Sequence, residues 1–333
     1  MMDSPLARWG DASAFLMAFI LAVGGTVLVV HLLIPVLERL QLGQRVRDDG
    51  PRRHLAKMGT PTMGGLGLVF SILLITLLAL PRDPAVWILV AVVVAAGGLG
   101  FADDFLKVAR DRPLGLKGRW KLLGQLVLGA ALGGFMAYGL DMGTVIAAPR
   151  GLFAVDLGWT YPAFTALLMV SATNAVNLTD GLDGLAAGGV ALALPVFVMA
   201  ALARGQLEVG LFGLVVLGAT VGFLWHNFHP ARVFMGDTGS LALGGFLAAI
   251  AIVTRTELIL LLAGGLFVVE TLSVIAQVLY FRTSGGQRLL KMSPLHHHLE
   301  LSGFGEITVV LMLWGFQGAC ALLAVWGLGG MGT

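Results

Sequence analysis

Charge is scarce in this chain. Lys, Arg, Asp and Glu together make up 12% of its 333 residues, against about 25% in an ordinary soluble domain. So few ionic side chains cannot coat a water-exposed globule of this size, and a soluble enzyme is excluded. The charges also nearly cancel, to a net +2, so no nucleic-acid partner is implied. Cysteine is reduced to Cys320, which excludes an internal disulfide and a cysteine metal cluster. The sequence has no Ser/Pro-rich linker, internal repeat or shift in composition, and residues 1–333 read as a single domain. The period-2 alternation of a transmembrane barrel is missing as well.

What is there is apolar. The AVILMFWYC set reaches 57% and the mean hydropathy is +0.90, which rules out disordered and fibrous classes. The 47 glycines are about twice the usual ~7% share and suit helices that pack closely in lipid through small residues. Ten segments approach or exceed the ~20 apolar residues that a membrane helix needs. They are Ala12–Leu37, Met63–Leu80, Ala85–Phe101, Leu122–Leu140, Leu157–Thr173, Leu185–Ala203, Val209–Trp225, Thr238–Thr254, Leu258–Phe281 and Ile307–Leu328. The expected fold is an all-α polytopic membrane protein of ten transmembrane helices, the first retained rather than cleaved. Ten crossings put both termini on one side, and 16 of the 21 Lys and Arg residues then fall on the opposite face. The positive-inside rule makes that face cytoplasmic and the termini periplasmic.

Five polar clusters interrupt the apolar text, all on the basic face. They are His54–Lys57 with Gly59–Thr62, Asp103-Asp104 with Lys107, Asn174–Asp183, Phe234–Asp237, and His296-His297-His298 with Glu300. Adjacent carboxylates such as Asp103 and Asp104 repel one another near a membrane boundary unless a cation is close. Lys107 is three and four residues on, on the same face if the helix continues. The pair reads as a base or metal ligand, or as a solvated helix end. Asn177, Asp180 and Asp183 recur every third residue, with glycine after each aspartate. Oxygen ligands at that density suit Mg2+ or nucleotide hydroxyls, or else cap the next helix. Asp237 either caps a helix or binds a cation. The triple histidine suggests zinc or phosphate contact, although adjacent imidazoles converge poorly on one ion. Lys57, Lys107, Lys117 and Lys121 suit phosphates or lipid headgroups. Glu270, within an apolar stretch, is an intramembrane acid and a functional candidate for that reason. His226 and His229 read as interfacial. Carboxylates for a divalent cation, with cationic groups for phosphate oxygens, point to phosphoryl transfer between a soluble donor and a lipid acceptor at the membrane surface.

These motifs, Lys57–Gly65, Asp103-Asp104 with Lys107, Asn174–Gly184, Phe234–Asp237 and Pro294–Glu300, resemble the phospho-N-acetylmuramoyl-pentapeptide transferases. These are the bacterial translocase I family within the polyprenyl-phosphate sugar-1-phosphate transferases. The resemblance spans essentially the whole chain, and the His-His-His-x-Glu segment separates this branch from its relatives. It implies a homodimer with ten membrane helices and a cytoplasmic-facing site in the bacterial inner membrane. It implies transfer from UDP-MurNAc-pentapeptide to undecaprenyl phosphate, giving UMP and lipid I, with Mg2+ required. By motif position Asp237 looks like the metal ligand, and Asp103 like the base for the lipid phosphate with Asp104 beside it. Lys57, Thr62, Lys121, Asn177, Asp180, Asp183, Phe234 and Gln277 look like the nucleotide and diphosphate shell. His296, His297 and His298 look like further substrate contacts. A transferase for another UDP-HexNAc is the nearest alternative, and a transporter or cation channel a remote one.

Overall fold

A computed structural model describes residues 11–40, 59–79, 83–109 and 115–329. The chain is a polytopic all-α membrane protein. Each of the ten apolar segments overlaps a helix, Leu258–Phe281 two, and among the described residues eight helices are long and apolar enough to cross a membrane. The long helices are α1 (Asp11–Arg39), α2 (Gly65–Ala79), α3 (Pro84–Ala109), α4 (Gly118–Gly134), α5 (Tyr161–Thr179), α6 (Leu185–Ala203), α7 (Leu207–Asn227) and α8 (Gly236–Val253). After the one-turn α9 (Ile259–Ala263) come α10 (Gly265–Thr283), the short α11 (Leu295–Leu301) and α12 (Glu306–Leu328).

The middle of the bundle is α8. Nearly every one of its side chains is buried, whereas α1 turns Leu16, Ile20, Leu28 and Leu32 outward, as lipid-facing helices do. Small residues set the closest approaches. On α7, Gly218 and Gly222 lie one turn apart against α1, where an added Cβ would come within 2.6 Å of Phe19 O and 2.5 Å of Val23 O. The most extensive pairing is α3 with α8. There Gly100 rests directly on the carbonyl of Asp237.

Four boundaries differ from the sequence expectation. Helix α3 runs on to Ala109, so Asp103 and Asp104 lie inside it rather than at its end. Helix α5 starts later and ends six residues later than expected. Its polar residues are accommodated by local bonds: Thr173 Oγ1 donates to Met169 O at 2.7 Å and Asn174 Nδ2 to Val170 O at 2.8 Å. The Leu258–Phe281 segment is broken at Gly264, into α9 and α10. The Asp141–Asp156 loop contains a small antiparallel hairpin, β1 (Val145–Ala147) and β2 (Ala154–Asp156), paired Val145 with Asp156. Arg255 pins that hairpin by donating to Gly143 O at 3.0 Å and Val145 O at 2.5 Å.

Candidate active site

The site forms where the last turns of α3 meet the first turn of α8. Gly236, at φ +72°, opens α8 in the left-handed region, where a side chain would be strained. A Cβ there would also come within 2.7 Å of Asp104 Oδ2 and 3.2 Å of Thr62 Oγ1. Asp104 Oδ1 accepts the Asp237 N–H at 3.1 Å, and Oδ2 accepts the Thr238 N–H at 2.9 Å and the Thr238 hydroxyl at 2.7 Å. A carboxylate from one helix thereby caps the N-terminus of another, where the unsatisfied N–H groups and the helix dipole both favour negative charge. Asp237 is thus not the cap of its own helix, which has no side-chain cap of its own.

Asp237 is left to face the cavity. Its Oδ1 accepts from Asn177 Nδ2 at 2.8 Å. Its Oδ2 lies 2.6 Å from Lys121 Nζ and 3.2 Å from Lys107 Nζ. Lys107 also meets Asp103 Oδ2 at 2.5 Å, on the shared helical face that the spacing predicts. One oxygen from each of Asp103, Asp104 and Asp237 falls within 4.8 Å of the others. In front of them lies a cavity of about 370 Å3, lined by Asp103, Lys107, Lys121, Gln125, Asn174, Asn177 and Asp237 among others. Gln125 was not foreseen; its Oε1 accepts from Asn174 Nδ2 at 2.8 Å, bracing α4 against α5.

The remaining candidates are distributed around this centre. Thr62 sits beside Gly236, and Phe234 ties the Pro61–Gly64 segment down, donating its N–H to Pro61 O at 2.8 Å and accepting from Gly64 N at 2.9 Å. Asp180 follows the end of α5. Burial, and then the carboxylates of Asp237, Asp104 and Asp183, push its pKa up to about 8. Asp183 is 3% exposed and faces His229 at 3.0 Å rather than the triad. His296 is fully buried, with Nδ1 3.2 Å from Glu270 Oε2 and its ring against Gly181. His297 pairs with Glu300 at 3.1 Å, and His298 Nδ1 accepts the Lys291 N–H at 3.1 Å. Gln277 lines a separate cavity of about 310 Å3 with Arg282 and Arg288, its Oε1 accepting from Leu290 N at 2.8 Å. Lys57 lies outside the described residues. Sequence reasoning overlooked Glu306 and Asn227 as site-related. The first reads as an ordinary helix-start acid and the second as part of an interfacial run.

The raised pKa of Asp180 has a stability consequence. Below its ordinary value of 3.8 the folded and unfolded chains both hold the proton. Above that value the unfolded chain ionises while the folded chain stays protonated, so stability falls steadily as pH rises from about 4 to about 8 and changes no further beyond. Wild-type protein in divalent-free buffer is therefore expected to lose thermal stability between about pH 4 and pH 8, and Asp180→Asn to flatten that slope. Parallel melting curves for the two proteins would remove Asp180 as the cause.

Residues 86–255 match the family model described as Glycosyl transferase family 4. Proteins named phospho-N-acetylmuramoyl-pentapeptide-transferase align along nearly the whole chain. That of Desulforudis audaxviator is 49% identical, covering 92% of this chain and 96% of its own length. The Bacillus subtilis protein is 45% identical over 94% and 95%, and that of Halalkalibacterium halodurans 47% over 93% and 96%. The chain is a phospho-N-acetylmuramoyl-pentapeptide transferase family member. The Asp103–Asp104–Asp237 centre, with Lys107 and Lys121, lies inside the segment that matches the family model.

Proposed function

We propose that this chain transfers phospho-MurNAc-pentapeptide from UDP-MurNAc-pentapeptide to undecaprenyl phosphate at the bacterial cytoplasmic membrane, giving lipid I and UMP. One observation carries the reading: three carboxylates from α3 and α8 converge within 4.8 Å with two lysine ammonium groups on Asp237, in a member of this family. We further infer ten crossings with both termini periplasmic, from the distribution of Lys and Arg, and a homodimer, from the family resemblance.

In this reading the lipid phosphate oxygen attacks the β-phosphorus of the nucleotide sugar. The bond from that phosphorus to the bridging oxygen breaks, and its electron pair leaves with UMP. Asp103 accepts the proton of the lipid phosphate, or orients its dianion, from the cavity wall. Lys107 and Lys121 draw phosphate oxygens toward Asp237 and offset the repulsion between two anionic substrates. Asp104 holds Asp237 against Asp103 through the first turn of α8. The donor set suits Mg2+, a hard cation that takes carboxylate oxygens and keeps part of its water. Asp237 would hold it, with Asp103 at its side. Bound there, Mg2+ would supply positive charge to the diphosphate.

Purified protein with both substrates is expected to release UMP and form lipid I, and to stop when EDTA removes the divalent cation. Full activity in EDTA would exclude the Mg2+ reading. Faster UMP release from UDP-GlcNAc than from the muramyl-pentapeptide nucleotide would favour the alternative donor. Trapping of a covalent phospho-sugar enzyme with donor alone would replace the one-step path by a two-step one.

A further inference from the structure

The turn Asp180–Gly184 joins α5 to α6 and carries two of the acids assigned to the nucleotide shell. The two are held very differently. Asp180 lies within electrostatic reach of Asp237 and Asp104. Asp183 is buried in a cluster of its own, built from parts of the chain remote in sequence. Its Oδ2 accepts from His229 Nδ1 at 3.0 Å and from Ala231 N at 3.1 Å. Its backbone N–H donates to Glu306 Oε1 at 3.0 Å. The other oxygen of Glu306 lies 3.5 Å from the same His229 nitrogen, so one imidazole faces two carboxylates. Next along the turn, Gly184 N donates to Asn227 Oδ1 at 3.2 Å, and Asn227 Nδ2 returns to Val233 O at 3.0 Å. The first residue of α12 and the segment after α7 thus grip the turn. In the last turn of α5, just before it, Asn177 reaches Asp237 Oδ1 and Ser240 Oγ at 2.8 and 2.9 Å.

We propose that Glu306 and His229 are positioning residues for the nucleotide donor. They fix the Asp180–Gly184 turn through Asp183, and so set how well the turn receives the donor. The inference rests on the proposed function. The choice of donor over lipid acceptor follows from hydrogen-bonding chemistry. Carboxyl oxygens accept from ribose hydroxyls and an imide N–H, donors that a nucleoside carries and an ionised phosphate lacks. Neither Glu306 nor His229 needs to touch the reacting atoms. The cluster resembles a three-ligand metal site, yet the imidazole N–H already lies between the two carboxylates, and the backbone N–H of Asp183 takes a Glu306 oxygen.

The test is steady-state kinetics on the full-length enzyme with each substrate varied in turn. Glu306→Ala is expected to raise KM for UDP-MurNAc-pentapeptide about tenfold, the worth of one or two lost hydrogen bonds to charged groups. The kcat and the KM for undecaprenyl phosphate are expected to stay within about twofold. Glu306→Gln keeps a carbonyl oxygen for the Asp183 N–H and is expected to recover most of the loss. His229→Ala is expected to shift the same KM in the same direction. Its side chain is 34% exposed, so it carries the test if Glu306→Ala does not fold. An unchanged donor KM in the folded variants, a fall in kcat alone, or no rescue by Gln would overturn the inference while wild-type turnover upholds the function. A wild-type enzyme that releases no UMP would overturn both.

Discussion

Asp237→Asn is expected to lower lipid I formation by about a thousandfold while the protein still folds. The substitution preserves size, and it preserves an oxygen for the Asn177 amide that now lies 2.8 Å away. It removes the negative charge on which Lys121 and Lys107 converge at 2.6 and 3.2 Å. Two ammonium groups then face a neutral amide, and the proposed cation site loses its most exposed carboxylate. Both effects act on the diphosphate, where charge has to be neutralised before an anionic acceptor can approach. Because the cap of α8 comes from Asp104 and not from Asp237, the helix should retain its start. Circular dichroism and gel filtration check the fold, and UMP release reads the effect. Turnover within about tenfold of wild type would take Asp237 out of the metal role.

Gly100→Ala is expected to do comparable damage from outside the cavity. A methyl group at this position would fall on the carbonyl carbon and oxygen of Asp237 and on the Thr238 amide. These are backbone atoms, so no side-chain rotation relieves the overlap. Helices α3 and α8 would separate, costing about 1–3 kcal/mol as overpacking does. The carboxylates they carry would move apart too. A displacement of about 1 Å in a reaction centre costs about a hundredfold in rate. Gly98 is the internal control. It is exposed, with nothing within 4 Å of an added Cβ, and in a helix Ala is preferred to Gly by about 1 kcal/mol. Gly98→Ala is expected to be as active as wild type and at least as stable. Equal behaviour of the two variants, in melting temperature and UMP release, would show that the close approach does not matter.

The apolar segments were legible because a lipid-spanning helix announces itself by length and hydropathy alone. Lys107 was legible beside Asp103 and Asp104 because three- and four-residue spacings are neighbours on one helix. Local spacing carries no such information about partners on different helices. Nothing around Asp104 in the sequence says that it caps a helix 133 residues further on. The bond from Asp183 to Glu306 spans 123 residues. Asn174 and Asn177 read as loop because their side chains usually compete with helical bonds. In α5 those groups are occupied instead by Val170, Gln125, Asp237 and Ser240. The hairpin strands are three residues each, too short for alternation to register. Glu270 looked like an isolated acid in a membrane segment. Its partner His296 lies on another helix, within a histidine run that drew attention for substrate contact instead.

The bonds from Asp104 to the start of α8 constrain how two dissimilar molecules can reach one reaction centre. Sliding α3 along α8 would strip three hydrogen bonds from a single buried carboxylate. That seam therefore acts as the fixed jaw of the enzyme. In the one-step path, room for a bulky water-soluble sugar nucleotide and a long-chain lipid together falls to the opposing side, where α4 offers Lys121 and Gln125 and the α5–α6 turn offers Asp180.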